Sequence, residues 1–332
     1  MIVTRTPLRI SFAGGGTDLP SFYRSNTYGL VLNTSINKYI YVTVKKHPRV
    51  FTREKFRLSY SETELVENLE KIKNPIIREC IKFLKIEERL YISTISDIPA
   101  STGLGSSSTF CVGLLKALYA FKKKRVGPKQ LSEEAFYIER DVLKRPVGKQ
   151  DHYAAAFGGL NYIRFNDDES TNVKSINLSK KNKKYLENSM AIFWTGIQRL
   201  SWKILHNQNA RHLENVIALN IIKNQAIELK RLFEKKKISI DKIGNLINEG
   251  WETKKTLSKN ISNKFIDNAF EKAFQSGAYG GRICGAGGGG FVLFITSPKY
   301  HKKLIKNMKK IGLTKFDLSF GNKGSMILIN LQ

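Results

Sequence analysis

Three glycine-rich segments carry the groups best suited to chemistry. The first is Arg9-Ile10-Ser11-Phe12-Ala13-Gly14-Gly15-Gly16-Thr17-Asp18. It begins as an alternating strand and ends in a turn almost without side chains. Such a turn lets the backbone approach a ligand closely, and Asp18 can accept hydrogen bonds from hydroxyls. A plain hairpin turn needs fewer than three glycines. The second segment runs from Asp97 to Ser108 and contains Ser101-Thr102-Gly103-Leu104-Gly105-Ser106-Ser107-Ser108. It lies between a predicted strand and a predicted helix. Free N–H groups at a helix start, the positive end of its dipole and hydroxyl donors suit phosphate. The Gly-Lys-Ser/Thr of a Walker A loop is absent. One serine is enough to cap a helix, so three in a row favour an anion. The third segment is Gly285-Ala286-Gly287-Gly288-Gly289-Gly290. Gly285, Gly287 and Gly290 fit G-x-G-x-x-G literally, but that fingerprint must open a helix. Here Phe291-Val292-Leu293-Phe294-Ile295 reads as a buried strand. A run this long predicts close approach to a ligand or to another glycine loop rather than a tight β-turn alone.

Strands and helices must hold these segments in place. Tyr39 to Val44, Arg49 to Tyr60, Leu90 to Ser96, Leu160 to Phe165 and Met190 to Trp194 read as strands. Helical periodicity covers Glu62 to Leu84, with Pro75 opening a second helix, and Ser108 to Lys123. Ser132 to Lys144 reads as a helix capped by Ser132. Further helices are predicted over Ser201 to Lys236, Asp241 to Lys259, Asn263 to Gln275 and Lys299 to Ile311. Asp167 to Lys184 is polar and reads as a surface loop, with a domain boundary near its end. Gly280 to Ile295 reads as strand, glycine turn, strand, and two strands close the chain. The class expected is α+β with two subdomains.

Composition narrows the function classes. The 332 residues are 41 % hydrophobic and 25 % charged, ordinary for a globular chain and too apolar for wholesale disorder. No apolar run approaches the roughly 20 residues of a membrane helix, and the N-terminus lacks a signal-peptide layout. A cytoplasmic protein without a membrane partner is expected. Lys plus Arg is 56 against 28 Asp plus Glu, giving a formal charge of +28. That excess favours anionic partners. Lys122-Lys123-Lys124-Arg125, Lys235-Lys236-Lys237 and Lys309-Lys310 fall at helix ends or surface turns. No nucleic-acid module accompanies them, so no nucleic-acid partner is expected. Cys80, Cys111 and Cys284 are widely spaced and read as free buried thiols. His47, His152, His206, His212 and His301 show no metal spacing and read as structural or surface residues.

In their order along the chain, the three segments resemble the three motifs of the GHMP sugar and metabolite kinases. The second is the most specific, with Pro99-x-x-x-Gly103-Leu104-Gly105-Ser106-Ser107 close to the family's phosphate-loop pattern. Phe12 to Phe22, Gly148-Lys149-Gln150-Asp151, and Asn248 to Lys255 are similar to the branch that phosphorylates D-glycero-D-manno-heptose 7-phosphate at its anomeric oxygen. Fucose kinases share part of this pattern. The resemblance implies a two-domain fold, with an N-terminal α/β domain over 1–185 and a C-terminal ferredoxin-like domain over 186–332. ATP and a sugar phosphate would meet between them.

The resemblance also implies roles. Gly103, Leu104, Gly105, Ser106, Ser107 and Ser108 would hold the ATP phosphates. Ser107 and Glu139 would ligate Mg²⁺, although Glu139 by itself reads as an exposed partner of Arg140 or Lys144. Asp151 would be the catalytic carboxylate that accepts the hydroxyl proton; read alone, it is a helix N-cap. Arg9 would stand beside Asp151 and steady developing charge. Gly16, Thr17 and Asp18 would contact the sugar, and Lys149 would contact substrate or phosphate, or simply pair with acidic neighbours. Gly15 and Gly16 replace the Glu and His of the galactokinase-like pattern, which makes room for a bulkier sugar phosphate. A distal phosphate would draw on Arg24, Arg199, Lys203, Lys254 or Lys255, and Arg282 would serve phosphate or structure. An unphosphorylated sugar, or nucleotide binding without catalysis, are the alternatives.

Overall fold

The computed structural model describes residues 1–48, 50, 53–198 and 212–331. The described residues form twelve strands: β1 (Ile2–Ala13), β2 (Tyr28–Lys46), β3 (Phe56–Ser59), β4 (Thr63–Val66), β5 (Leu90–Ser96), β6 (Leu160–Asn166), β7 (Thr171–Ser175), β8 (Met190–Trp194), β9 (Ala278–Ile283), β10 (Phe291–Thr296), β11 (Thr314–Phe316) and β12 (Met326–Asn330).

The larger sheet has the order β12-β1-β2-β5-β3-β4, with β6 on β2 and β7 on β6. Strand β2 is long enough to serve two neighbours on one side. Residues 28–34 pair with β6 and residues 40–46 with β5. Strand β1 alternates at its start and is buried throughout from Thr6 to Ala13. It therefore leads segment one into the interior rather than along an edge. Helix Ser106–Phe121 packs on β1 and β2 and is buried nearly all round. Such burial requires an apolar sequence on every face, and Phe110 to Phe121 supplies it.

The second sheet has the order β11-β8-β10-β9, all antiparallel. Helices 212–233, 240–256 and 264–275 separate β8 from β9, and helix His301–Lys310 separates β10 from β11. That is the β-α-β-β-α-β arrangement of a ferredoxin-like domain. Its core holds Trp251 stacked on Phe270, with ring centroids 5.3 Å apart. The α+β class agrees with the expectation.

Several elements differ from it. Thr63–Val66 is a strand, because it pairs with Phe56–Ser59 in a hairpin. The helix beyond it starts only at Pro75, capped by Asn74 Oδ1 accepting from Ile77 N at 3.1 Å. Ser132 caps nothing. It lies inside helix Pro128–Tyr137, and its Oγ donates to Pro128 O at 2.7 Å. Asp167 to Lys184 is not one loop, since it contains β7 and the start of helix Lys180–Asn188. The last strand, β12, pairs with β1, so the C-terminal end of the range 186–332 lies in the N-terminal sheet. The chain leaves that sheet's layer near Glu187 and re-enters near Phe320, where Phe320 N donates to Glu187 Oε1 at 2.8 Å. The predicted helix from Ser201 is described only as His212–Phe233.

Lys122 follows helix Ser106–Phe121, Lys235 to Lys237 follow helix His212–Phe233, and Lys309 and Lys310 end helix His301–Lys310. There they complement the negative ends of the helix dipoles. Cys80, Cys111 and Cys284 are buried and in no disulfide. Among the described residues no helix is long and apolar enough to cross a membrane.

Candidate active site

Both halves of the chain line one cleft of about 1000 Å³. Strand β1 brings Arg9 to its wall. Arg9 Nε and Nη2 donate to Asp151 Oδ1 and Oδ2, each at 2.7 Å, and Nη1 donates to Gly103 O at 2.6 Å. A fork-to-fork pair of this kind fixes the carboxylate's direction as well as its charge. Asp151 is the second residue of helix Gln150–Phe157 and makes no capping hydrogen bond, so the N-cap reading does not hold. Segment two meets Asp151 at close range: a Cβ on Gly105 would lie 3.3 Å from Asp151 Oδ2.

Glu139 lies on the π-helical turn Ile138–Val142 that continues helix Pro128–Tyr137. Turns of this type often aim a side chain at a functional site. Its side chain is fully buried, which excludes the exposed-partner reading. Oε1 accepts from Ser107 Oγ at 2.5 Å and from Arg145 Nη1 at 2.8 Å. Oε2 accepts from Ser108 Oγ at 2.6 Å and from His152 Nε2 at 2.9 Å. Burial pushes the Glu139 pKa up, but the hydrogen bond and charge of His152, then Ser107 and Ser108, outweigh it and bring it to about 2.

That shift fixes a pH dependence. The native carboxylate takes its proton near pH 2, whereas an ordinary one does so near 4.5. The stabilisation is complete above the upper value and is lost as pH falls through the interval; linkage puts it on the order of 3 kcal/mol. Denaturant titrations of wild type and Glu139→Gln should therefore show a stability gap that is widest above about pH 5 and narrows towards pH 2. A gap independent of pH would remove the charge from the explanation.

Asp18 is buried beside Gln150. Its Oδ1 accepts from Gly16 N at 2.9 Å and Gln150 Nε2 at 3.1 Å, and its Oδ2 from Gln150 N at 3.2 Å. Burial raises its pKa, and the Asp151 charge adds to the rise, against the lowering by Gly16 N and Gln150 N.

The structure brings Arg9, Gly16, Asp18, Gly103, Gly105, Ser106, Ser107, Ser108, Glu139 and Asp151 to the cleft, with Lys254 and Arg282. It does not bring Lys149 there. Lys149 is buried on the other side of its helix, donating to Glu169 O at 2.8 Å, with Glu133 and Glu169 carboxylates each at 3.3 Å. A substrate contact by Lys149 is thereby overturned. Thr17 is buried as well, its Oγ1 donating to Gly14 O and Leu30 O at 2.8 Å, so it braces the turn. The Leu104 side chain sits in the core, and its carbonyl accepts from Arg9 N at 3.1 Å. Arg24 pairs with Glu169 and Lys255 with Glu252, both outside the cleft lining. Arg199, Lys203 and His206 lie outside the described residues, as does the side chain of His212. His47 meets Lys55 O, and His301 faces a smaller hollow lined by Phe316 and Phe320.

Segment three closes on segment two. Phe291 N donates to Thr102 O at 3.2 Å, and Lys254 Nζ donates to Gly285 O at 2.5 Å. This is the approach of one glycine loop to another expected from the sequence. Sequence reading missed Arg145, whose Nη1 also donates to Ser107 Oγ at 2.9 Å. Nothing in its local pattern signals that position.

Comparison with known proteins agrees with this geometry. Residues 55–159 match the GHMP kinases N terminal domain and residues 229–312 the GHMP kinases C terminal. The chain is 32 % identical over 337 residues to the D-glycero-alpha-D-manno-heptose 7-phosphate kinase of Campylobacter jejuni, covering 97 % of each. The chain belongs to the GHMP kinase family. GHMP kinases are ATP-dependent phosphotransferases, and the relatives of this one include sugar kinases and a mevalonate kinase. A crystal structure described as a D-glycero-D-manno-heptose 1-phosphate kinase from Bacteriodes thetaiotaomicron superposes with a TM-score of 0.82 at 26 % identity, covering 100 % of both chains. That of a putative sugar kinase from Campylobacter jejuni gives 0.75 at 30 % identity, covering 98 % of this chain and 97 % of the other.

Proposed function

We propose that this GHMP kinase transfers the γ-phosphoryl group of ATP to the anomeric hydroxyl of D-glycero-D-manno-heptose 7-phosphate, giving the 1,7-bisphosphate and ADP. The observation that carries the reading is the 32 % identity to a heptose 7-phosphate kinase over 97 % of the chain. The open turn at Gly15 and Gly16, beside Asp18, supports a bulky acceptor.

Phosphoryl transfer asks mainly for positioning and charge neutralisation. Asp151 accepts the anomeric hydroxyl proton as the sugar oxygen bonds to phosphorus and the bridge to ADP breaks. Arg9, donating to both carboxylate oxygens, aims Asp151 and holds it against segment two. The first N–H groups of helix Ser106–Phe121 lack partners within the helix, as at every helix start, and face the phosphates with Ser106. Asp18 orients sugar hydroxyls. Ile76, Ile98, Pro99 and Phe110 give the cleft an apolar wall suited to a purine.

The donor set fits Mg²⁺. Ser107 Oγ and the ionised Glu139 are hard oxygen donors, and this cation keeps waters and substrate phosphates as its remaining ligands. Bound there, it would neutralise charge on the transferring phosphoryl oxygens. Arg145 touches both donors and would contribute a second positive charge.

A coupled ADP-release assay tests the proposal across heptose 7-phosphate, mannose 6-phosphate, sedoheptulose 7-phosphate, fucose, galactose and mannose. The expected result is a strong kcat/KM preference for the heptose phosphate. Turnover of an unphosphorylated sugar alone would overturn the substrate, and nucleotide binding without turnover of any acceptor would overturn catalysis.

A further inference from the structure

Arg282 lies on β9, is 6 % exposed, and lines the cleft. Its Nη1 donates to Phe12 O at 2.6 Å, while its buried Nε has no hydrogen-bond partner. Among the described residues no carboxylate forms an ion pair with it. The other guanidiniums of the cleft are committed, Arg9 to Asp151 and Arg145 to Glu139. Burial and the nearby Arg9 charge lower the Arg282 pKa to about 10, which leaves it charged at neutral pH. A buried charge without a counter-charge is costly, and a charged ligand relieves that cost.

The position facing Arg282 is Gly15. A Cβ built there would lie 4.0 Å from Arg282 Nη2, 3.9 Å from Ser11 Oγ and 3.4 Å from Gln150 Nε2. Gln150 Nε2 is the nearest of these atoms, and an amide NH₂ carries two hydrogens, so one can stay on Asp18 Oδ1 while the other meets a new acceptor. A guanidinium, a hydroxyl and an amide thus surround a residue with no side chain. Gln150 also donates to Asp18, which ties this hollow to the sugar site.

We propose that Arg282, Ser11 and Gln150 form, over Gly15, a subsite for the phosphate monoester at the far end of the acceptor. The inference rests on the acceptor being a sugar phosphate. Arg282 supplies the charge, and the missing side chain at Gly15 supplies the room. Charge-assisted hydrogen bonds from a planar donor suit a phosphate dianion. The subsite makes Arg282 a specificity residue that reads the end of the substrate remote from the reacting hydroxyl.

The test is the ratio of kcat/KM for a phosphorylated acceptor to that for its unphosphorylated counterpart. It uses D-glycero-D-manno-heptose with and without the 7-phosphate, and mannose with and without the 6-phosphate. Wild type should favour the phosphorylated partner. Arg282→Met should cut the ratio roughly ten- to a hundredfold, mainly through KM, and Arg282→Lys should recover part of it. Gly15→Glu gives an independent reading, because its Cβ meets only ordinary contacts and its carboxylate would take the place of the phosphate. It should lower the ratio too, with a melting temperature close to wild type. If Arg282→Met does not fold, Gly15→Glu decides alone. A ratio unchanged in the folded variants would overturn the subsite and leave the proposed function standing. A wild type that prefers the unphosphorylated sugar would overturn both. A preference for mannose 6-phosphate that Arg282→Met removes would support the subsite and overturn the heptose assignment.

Discussion

Asp151→Asn is expected to lower turnover about a hundredfold or more, the usual span for loss of a general base, while ATP affinity stays close to wild type. The amide is the same size and keeps one oxygen to accept from Arg9, whose fork now holds both carboxylate oxygens at 2.7 Å. What it loses is the capacity to take the hydroxyl proton. In the proposed mechanism segment two holds ATP through other atoms, so nucleotide binding is a clean control. Calorimetric titration with ATP and single-turnover kinetics on the heptose phosphate separate the two quantities. Wild-type turnover in this variant would remove Asp151 from the chemistry.

Gly285→Ala is expected to destabilise the cleft strongly. Gly285 has φ +73°, and a Cβ there would lie 2.6 Å from Gly103 O and 2.8 Å from Gly103 Cα. Both are backbone atoms of segment two, with no rotamer to move. Relief requires segments two and three to separate, which strains the contacts from Lys254 to Gly285 O and from Phe291 N to Thr102 O. Overpacking and left-handed strain together predict a loss of about 2–4 kcal/mol, with weaker ATP binding. Gly312→Ala isolates the strain alone, since Gly312 has φ +88° and a Cβ there meets nothing within 4 Å. Denaturant unfolding of the pair gives the comparison. Equal losses would mean that the seam between the glycine loops tolerates the extra atom.

The sequence was most legible where local pattern and burial agree. Met190–Trp194 falls at its predicted bounds because apolar residues fill a short buried strand, and Leu90–Ser96 does so through its β-branched and aromatic residues, burying only Leu90 and Ile92. Thr63–Val66 was illegible because its strand character comes from pairing with Phe56–Ser59, which helical periodicity in Glu62 to Leu84 does not reveal. Strand β7 is mostly polar because it pairs with β6 alone. The site was legible through its glycines and serines, and through the resemblance for Asp151 and Glu139. Lys149 shows the limit of adjacency along the chain. Two residues along a helix are turned by about 200°, so placing Asp151 in the cleft turns Lys149 towards Glu133 and Glu169. Arg145 and the hollow over Gly15 depend on contacts between distant segments, which no local pattern encodes.

The return of the chain to its first sheet has an entropic consequence. Glu187 and Phe320 touch, and β12 pairs with β1, so the ferredoxin-like domain is an excursion closed at its neck. Were that domain to melt while its host stayed folded, the host would have to carry a floppy loop of roughly 130 residues pinned at both ends. Closing such a loop costs about 4 kcal/mol beyond a constant that does not depend on its length. Two domains joined end to end would pay no such charge. The host therefore penalises separate melting of its guest, and both walls of the cleft persist or dissolve together.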